Sequence, residues 1–287
     1  MTAAADELEA RGLALPDGLA ITWLGVSGYL LSYQGSSLII DPYLSRVPLR
    51  SLLLRRGALP DRALIARYAP LPAGDVLAGV LVGHTHFDHA VDAPAIAAEH
   101  GATAYGSSSL VHLMRLHGLD RLAVEVVPHR SYELGPFVVR FTPSRHSKLI
   151  LGRKVPMAGE LTCDHLDGLN PTAYRCGAVY GIRIEVAGIS LYHQGSADLD
   201  DAELGTEPVD VFLAGVAGRQ VTPRYWERIL PKLDPAVVVP THYDNFFTPL
   251  GRGRDLVRGV QLDAVPGEIA AVSGSATVAA LPRTDTQ

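Results

Sequence analysis

The chain has few cysteines, a modest net charge and no long apolar run, and each of these shortages excludes a class of protein. Only two cysteines, Cys163 and Cys176, occur among 287 residues, which is typical of a reducing cytosol rather than of a disulfide-stapled secreted fold. The net charge of −5 argues against a broad basic surface for nucleic acid. No apolar run approaches the ~20 residues that span a bilayer.

The amino terminus and the composition favour a cytoplasmic globular protein. Residues 1–7 lack the basic and apolar regions of a signal peptide. Hydrophobic residues make up 47% of the chain, which is ample for a core, and charged residues make up 19%, which excludes a disordered, solvating chain. We therefore expect a soluble, cytoplasmic protein with no nucleic-acid partner and no stable membrane insertion. A homo-oligomer is left open.

The most informative segment is HTHFDH at residues 84–89, which directly follows the apolar run VLVG at residues 80–83. Alternate residues of an extended segment project to the same side, so His84 and His86 can share one ion. Asp88 and His89 follow after the chain has turned and can face a second ion. Imidazole and carboxylate ligands together suit zinc, iron or manganese.

An HxHxDH motif after a hydrophobic strand is the signature of the metallo-β-lactamase superfamily, which this chain resembles. The segments TWLG at 22–25 and SLIIDPYL at 37–44 agree with that resemblance. The chain looks most like the branch of ascorbate-6-phosphate lactonase-like and N-acyl-phosphatidylethanolamine phospholipase D-like hydrolases. The resemblance runs from Ile21 to the final strands. It implies an α/β fold, a four-layer αβ/βα sandwich, with the site along one edge of the sheets.

The resemblance also implies the remaining metal ligands. His146 follows a strand, as the third histidine of the first metal does in the family. His242 ends a late apolar strand, as the last ligand of the second metal does. The expected ligands are therefore His84, His86 and His146 for one ion, and Asp88, His89 and His242 for the other.

Three positions beside these ligands are predicted to tune the centre. In the family, the aspartate matching Asp41 lies beneath the metal site, where a buried carboxylate can orient a ligand imidazole; the alternative is a simple turn residue. Most relatives carry a bridging aspartate directly after Gly195, whereas this chain has Ser196, whose hydroxyl stays protonated and is a far poorer ligand. Either Asp198 replaces that carboxylate as the bridge, which we favour, or the second ion is held weakly.

These residues predict a metal-dependent hydrolase that binds two zinc ions, with manganese or iron as alternatives. Three protein ligands per ion leave positions open for water, and a bound metal lowers the pKa of water from 15.7 to about 7. The expected reaction is attack by metal-bound hydroxide on an ester, lactone or phosphodiester of a small molecule, with Asp88 and Asp198 as catalytic carboxylates. Because Ser196 replaces the bridging aspartate, a metal-binding protein without turnover and an iron redox enzyme remain alternatives.

The chain is expected to form a single domain over residues 1–287, with lid or interface insertions at 43–75 and 148–177. Residues 43–75 carry Arg46, Arg50, Arg55 and Arg56 among leucines and suit a lid, a subunit contact, a lipid-touching surface or a solvated helix. The pattern also predicts a hairpin around Gln34-Gly35, a helix from Asp92 that ends at Gly101, a partly helical lead-in over residues 1–18, and a strand at 269–272.

Overall fold

The protein is described by a computed structural model over residues 12–252 and 255–286. Most of the partly helical lead-in predicted for residues 1–18 lies outside these residues, and residues 12–18 contain no helix. Thirteen strands form two sheets. The first sheet contains, in spatial order, β1 (Ala20–Gly25), β2 (Gly28–Tyr33), β3 (Ser36–Ile40), β4 (Val76–Leu81), β5 (Ala104–Gly106) and β6 (Ala123–Glu125).

The second sheet is also mixed, and its strands follow one another in chain order from one edge to the other. They are β7 (Ser131–Leu134), β8 (Phe137–Ser144), β9 (Val179–Val186), β10 (Ile189–Gln194), β11 (Val211–Gly215), β12 (Val237–Thr241) and β13 (Thr277–Val278). Strands β10 to β13 are parallel, whereas β7 to β10 alternate in direction.

Within the described residues, seven α-helices accompany the sheets. They are α1 (Leu49–Leu53), α2 (Arg62–Tyr68), α3 (Phe87–Ala90), α4 (Ala93–His100), α5 (Ser108–Leu116), α6 (Tyr225–Leu233) and α7 (Val265–Ala270). None of the helices in the described part of the chain is both long enough and apolar enough to cross a bilayer.

The core follows from the alternation of side chains along the strands. In β3, Leu38 and Ile40 are buried in the cluster that joins the two sheets, whereas Ile39 is buried in a second cluster with residues of α4 and α5. Successive residues of a strand point to opposite faces, so one sheet face packs on its partner sheet and the other on helices. This layering is consistent with the predicted α/β sandwich.

Local sequence signals predicted several elements well. Strands β2 and β3 pair antiparallel around Gln34 and Gly35, whose φ values of 49° and 75° suit a tight hairpin turn. Helix α4 ends at Gly101, which adopts the left-handed conformation. The strand predicted at 269–272 is wrong, because α7 covers Val265–Ala270 and has a proline in its first turn. A short apolar run fits either element.

The direction of the strands determines where the site forms. Strands β3 and β4 are parallel, so the segments that follow them leave the same edge of the first sheet. Strands β8, β10 and β12 also run in one direction, and the segments after them leave one edge of the second sheet. The predicted site residues lie in these five segments.

Candidate metal centre

Six of the predicted ligands come together in two groups where the two sheets face each other. In each group, the candidate ligand atoms lie within 4.8 Å of one another. The first ligand group is His84, His86 and His146, and the second ligand group is Asp88, His89 and His242. The groups are adjacent, since the ring centroids of His84 and His89 are 3.9 Å apart.

The hydrogen bonds of His86 and His146 leave an acceptor nitrogen on each of these two members of the first ligand group. His86 Nε2 lies 2.9 Å from the carbonyl oxygen of Pro156 and donates to it, so its Nδ1 carries a lone pair. That Nδ1 is 3.1 Å from His84 Nε2, which is less than twice a Zn–N bond of about 2.1 Å. His146 donates from Nδ1 to the carbonyl oxygen of Ser147 at 2.8 Å, which leaves its Nε2 as the acceptor. This donor set fits a metal ion.

The protonation of these imidazoles agrees with that fit, since a metal ligand must be neutral. Burial lowers the pKa of His86 to about 4 and that of His146 to about 3. Burial and the neighbouring imidazoles together hold the pKa of His84 well below its ordinary range. All three side chains are therefore uncharged at neutral pH.

The second ligand group is built around the carboxylate of Asp88. One oxygen, Oδ2, lies 3.8 Å from His89 Nε2 and 3.4 Å from His242 Nε2. Burial opposes ionisation of Asp88, but His89 and His242 outweigh it and hold the pKa far below the ordinary range. Burial likewise opposes the charged form of His89, but Asp41 and Asp88 outweigh it and raise the pKa. Two carboxylates thus gather negative charge where a cation can bind.

Asp41 lies directly beneath the second ligand group and follows the last residue of β3. Its Oδ1 accepts from the backbone N–H of Gly83 at 2.7 Å. Its Oδ2 accepts from His89 Nδ1 at 2.8 Å and from His193 Nε2 at 3.0 Å. Burial opposes its ionisation, but the two histidines outweigh burial and lower the pKa of Asp41 to about 2. The carboxylate therefore holds the proton of His89 on Nδ1, and Nε2 is left facing the other members of the second ligand group.

His193 is a site residue that sequence reasoning did not assign. It lies fully buried in β10 and packs edge-on against Tyr29, with ring centroids 5.8 Å apart. A single histidine in a strand usually serves packing. Its role depends on Asp41, which is 152 residues away in the chain, so no local pattern could have identified it.

Asp198, which is predicted to bridge two ions, belongs to neither of the two ligand groups. Its Oδ1 lies 3.1 Å from the guanidinium of Arg228 and accepts from the backbone N–H of Leu199 at 2.9 Å. These two partners hold the carboxylate, so a bridging or catalytic role would require an ion to draw it from Arg228 and stays a prediction. Ser196, in contrast, lies at the centre, where its Oγ accepts from the backbone N–H of Ser147 at 3.1 Å.

Comparison with known proteins agrees with this geometry. Residues 20–242 match the family model described as a beta-lactamase superfamily domain. The chain belongs to the metallo-β-lactamase superfamily. It is 28% identical over 235 residues to a UPF0173 metal-dependent hydrolase of Carboxydothermus hydrogenoformans, covering 79% of this chain and 86% of that protein.

Solved structures share the fold at low identity. Igni18, a metallo hydrolase of Ignicoccus hospitalis, is 19% identical with a TM-score of 0.53, over 93% of this chain and 95% of that one. CmlA, a diiron β-hydroxylase of Streptomyces venezuelae, is 13% identical with a TM-score of 0.59, over 95% of this chain and 54% of that one. These likenesses confirm the predicted fold of this superfamily member. The lactonase-like or phospholipase D-like branch is not confirmed.

A buried ion-pair network supports the loop that carries His242. Asp244 Oδ2 lies 2.8 Å from the guanidinium of Arg46 and 3.2 Å from that of Arg283, and all three side chains are buried. Asp244 Oδ1 accepts from the backbone N–H of Val26 at 2.8 Å, and the carbonyl oxygen of Val26 accepts from the N–H of His242 at 2.8 Å. The network therefore connects the chain after β1 to the ligand loop after β12.

Replacing Asp244 with alanine is expected to lower the free energy of unfolding by about 3–5 kcal/mol, because the buried guanidinium of Arg46 loses its carboxylate partner. Arg283 loses one of its two carboxylate partners and keeps Asp285. Urea denaturation measures the change. The matched control is Asp120→Ala, which breaks an exposed pair with Arg115 and should change stability by less than about 1 kcal/mol. Equal changes in the free energy of unfolding for the two variants would show that the buried network stabilises the fold no more than an exposed ion pair does.

The ligands open onto a cavity of about 440 Å³. Its wall includes four of them, His86, Asp88, His146 and His242, and is otherwise mainly apolar. Phe246 and Phe247 form one side of this wall. Leu52 from the 43–75 segment and Met157 from the 148–177 segment also line the cavity, so both predicted insertions contribute to it. Their role as lids or interfaces stays a prediction.

Proposed function

We propose that the protein is a metal-dependent hydrolase that cleaves an ester, lactone or phosphodiester of a small molecule bearing an apolar group. One observation carries the proposal: two adjacent three-residue ligand groups lie at one end of a largely apolar cavity. The relative from Carboxydothermus hydrogenoformans, which is called a metal-dependent hydrolase, supports it.

Each ligand group is suited to hold one ion, and zinc is the metal that we propose for both. When bound, such ions lower the pKa of a coordinated water and polarise the substrate oxygen. Asp88 faces the cavity and is held ionised, so it can accept a hydrogen bond and orient a donor there. Asp41 keeps the proton of His89 on Nδ1, which leaves Nε2 free as a ligand.

The cavity wall favours a carboxylic ester or lactone over a phosphodiester. Among the described residues that line it, Arg258 is the one lysine or arginine, and its side chain is exposed. An anionic phosphodiester would therefore rely on the metal site for most of its charge compensation. The transfer of an acyl or aryl group from water to the apolar wall, in contrast, lowers the free energy of binding.

A series of p-nitrophenyl esters tests this substrate class. Each buried methylene contributes about 0.8 kcal/mol, so kcat/KM should rise by about tenfold from the acetate to the butyrate. Phe247→Ala is expected to reduce this gain, whereas Phe247→Leu should largely retain it because leucine is also apolar. Bis(p-nitrophenyl) phosphate serves as the phosphodiester comparison. Faster turnover of the phosphodiester than of every ester and lactone would reject the preference for carboxylic esters.

A metal-binding protein without turnover, or an iron redox enzyme, is the second proposal, and Ser196 is the observation that favours it. The hydroxyl at this position hydrogen-bonds to Ser147 and cannot replace the charge of a bridging carboxylate. The CmlA likeness shows the fold alone. Iron found by elemental analysis, together with oxygen consumption by the iron-loaded protein, would support the redox reading. A cytoplasmic location and a lack of nucleic-acid partners stay predictions.

A further inference from the structure

Two segments at the mouth of the cavity expose an unusual amount of apolar surface. We call residues 48–57 and 148–154 the mouth segments, because Leu52 of the first and Leu149 of the second line the cavity. Twelve large hydrophobic side chains are exposed in the described part of the chain, and six of them belong to these two short segments. The six are Leu49, Leu53, Leu54, Leu149, Ile150 and Leu151. Clustered exposure of this kind marks an interaction surface.

The local structure of the mouth segments presents these side chains outward. Leu49 and Leu53 are one turn apart in α1 and lie on the same helix face. In the second segment, Ile150 and Lys154 exchange backbone hydrogen bonds of 3.1 and 3.2 Å, which closes a turn with Leu151 at its tip. Leu151 is 90% exposed and has a φ of 52°, a conformation that is uncommon for a residue other than glycine. An apolar side chain is thus held in water at a turn tip.

The charge of the mouth segments is opposite to that of the whole protein. Neither segment contains an acidic residue, although the chain carries a net charge of −5. The same two segments carry six exposed cations, namely Arg50, Arg55, Arg56, Lys148, Arg153 and Lys154. Exposed apolar side chains interspersed with lysine and arginine suit a surface that has anionic groups above an apolar layer.

We propose that the mouth segments dock on an anionic lipid bilayer, with the exposed leucines in the acyl region and the six cations at the headgroups. The apolar mouth continues into the apolar cavity wall through Leu52 and Leu149. An amphiphilic substrate can therefore pass from the bilayer to the ligand groups without exposing its acyl chain to water. Docking itself requires no turnover, so it stands apart from the proposed hydrolysis.

The observations favour lipid over a second copy of the chain. A two-fold pairing of the mouth segments brings the same surface of both copies together, which places cations against cations and offers no anion to neutralise them. A bilayer supplies both the anionic and the apolar partner on one surface.

Vesicle co-sedimentation tests the proposal. The zinc-loaded protein is mixed with vesicles of phosphatidylglycerol and phosphatidylcholine in a roughly 1:3 ratio, or of phosphatidylcholine alone. We expect binding to the anionic vesicles that is weakened by about 0.5 M NaCl through charge screening. The double variant Leu53→Ser/Leu151→Ser should bind at least about tenfold more weakly, since it removes two apolar anchors. Arg55→Glu/Lys154→Glu should weaken binding to a similar extent.

Matched controls come from the opposite edge of the first sheet. Val76 is 68% exposed and begins β4, whereas the ligands follow the other end of that strand. Arg121 is exposed and precedes β6, which runs in the same direction as β4. Val76→Ser and Arg121→Glu should therefore bind the anionic vesicles as the wild type does.

Three outcomes overturn the proposal: no binding of the wild type to anionic vesicles, equal binding by the wild type and the Leu53→Ser/Leu151→Ser variant, or equal loss in the control variants. Analytical ultracentrifugation can give a fourth outcome that overturns the proposal. If the mouth variants turn a dimer into a monomer and vesicle binding is absent, the surface is a self-interface. Turnover of soluble p-nitrophenyl butyrate without vesicles is measured in parallel, so a failure of docking and a failure of hydrolysis are read separately.

Discussion

Replacing His86 with alanine is expected to remove the ion of the first ligand group and to lower hydrolysis by at least about a thousandfold, since the water that this ion would activate then keeps its pKa of 15.7. His86 is nearly fully buried, with Nε2 held by the carbonyl oxygen of Pro156 and Nδ1 turned toward His84. Alanine leaves two ligands and a space that water can fill. Elemental analysis and ester hydrolysis on the same preparation measure both effects.

His165→Ala is the control for this variant. His165 lies on the surface, where its Nδ1 is 2.6 Å from a carboxylate oxygen of Asp164, and it belongs to neither ligand group. It should keep the metal content and the activity of the wild type. Full turnover by His86→Ala after the ion of the first ligand group is lost would reject a catalytic role for that ion, and turnover that survives the removal of both ions would reject the metal-dependent mechanism.

The ligand groups could be predicted because their sequence signals are local. His84, His86, Asp88 and His89 fall within six positions, and the strand before them determines which way each faces. His146 and His242 lack such a cluster. They were predicted from the family resemblance and from their positions just after apolar strands, and the structure brings both to the centre. The roles of all six stay predictions until metal binding is measured.

Other residues around the site depend on contacts between distant parts of the chain, which sequence reasoning did not predict. Asp198 follows the expected bridging position by two residues, but its partner is Arg228 in α6, thirty residues further on. Arg46 belongs to a segment that reads as a basic surface, yet it is buried against Asp244, which is 198 residues away. Sequence spacing carries no information about such pairs, because the fold alone determines which charges meet.

The residues of the cavity wall, which would contact a bound substrate, are equally hard to predict from sequence spacing. Phe246 and Phe247 follow His242 closely in sequence, but Leu149 and Val260 reach the wall from other segments. The HxHxDH motif therefore predicts the chemistry of the centre, while the character of the substrate depends on side chains that only the folded chain assembles.

Replacing Asp41 with asparagine is expected to weaken binding of the second ion by about 10–100-fold. An amide can offer only one oxygen, whereas Asp41 accepts from Gly83 with Oδ1 and from His89 and His193 with Oδ2. If the oxygen stays with Gly83, the amide N–H₂ faces two imidazole N–H groups. His89 then avoids this clash by moving its proton to Nε2, the nitrogen that the second ligand group needs. The first ligand group makes no hydrogen bond to Asp41, so we expect two ions per wild-type chain and one per variant chain after dialysis.

The control is Asp198→Asn, since Asp198 is paired with Arg228 and lies outside both ligand groups. This variant should retain two ions and the activity of the wild type. Two tightly held ions in Asp41→Asn would mean that the proton of His89 does not depend on this carboxylate. A loss of one ion in Asp198→Asn would instead restore Asp198 as a ligand, and it would require the ion to draw this carboxylate away from Arg228. A single ion in the wild type would show that, with Ser196 in place of the bridging aspartate, the centre does not bind a second metal ion.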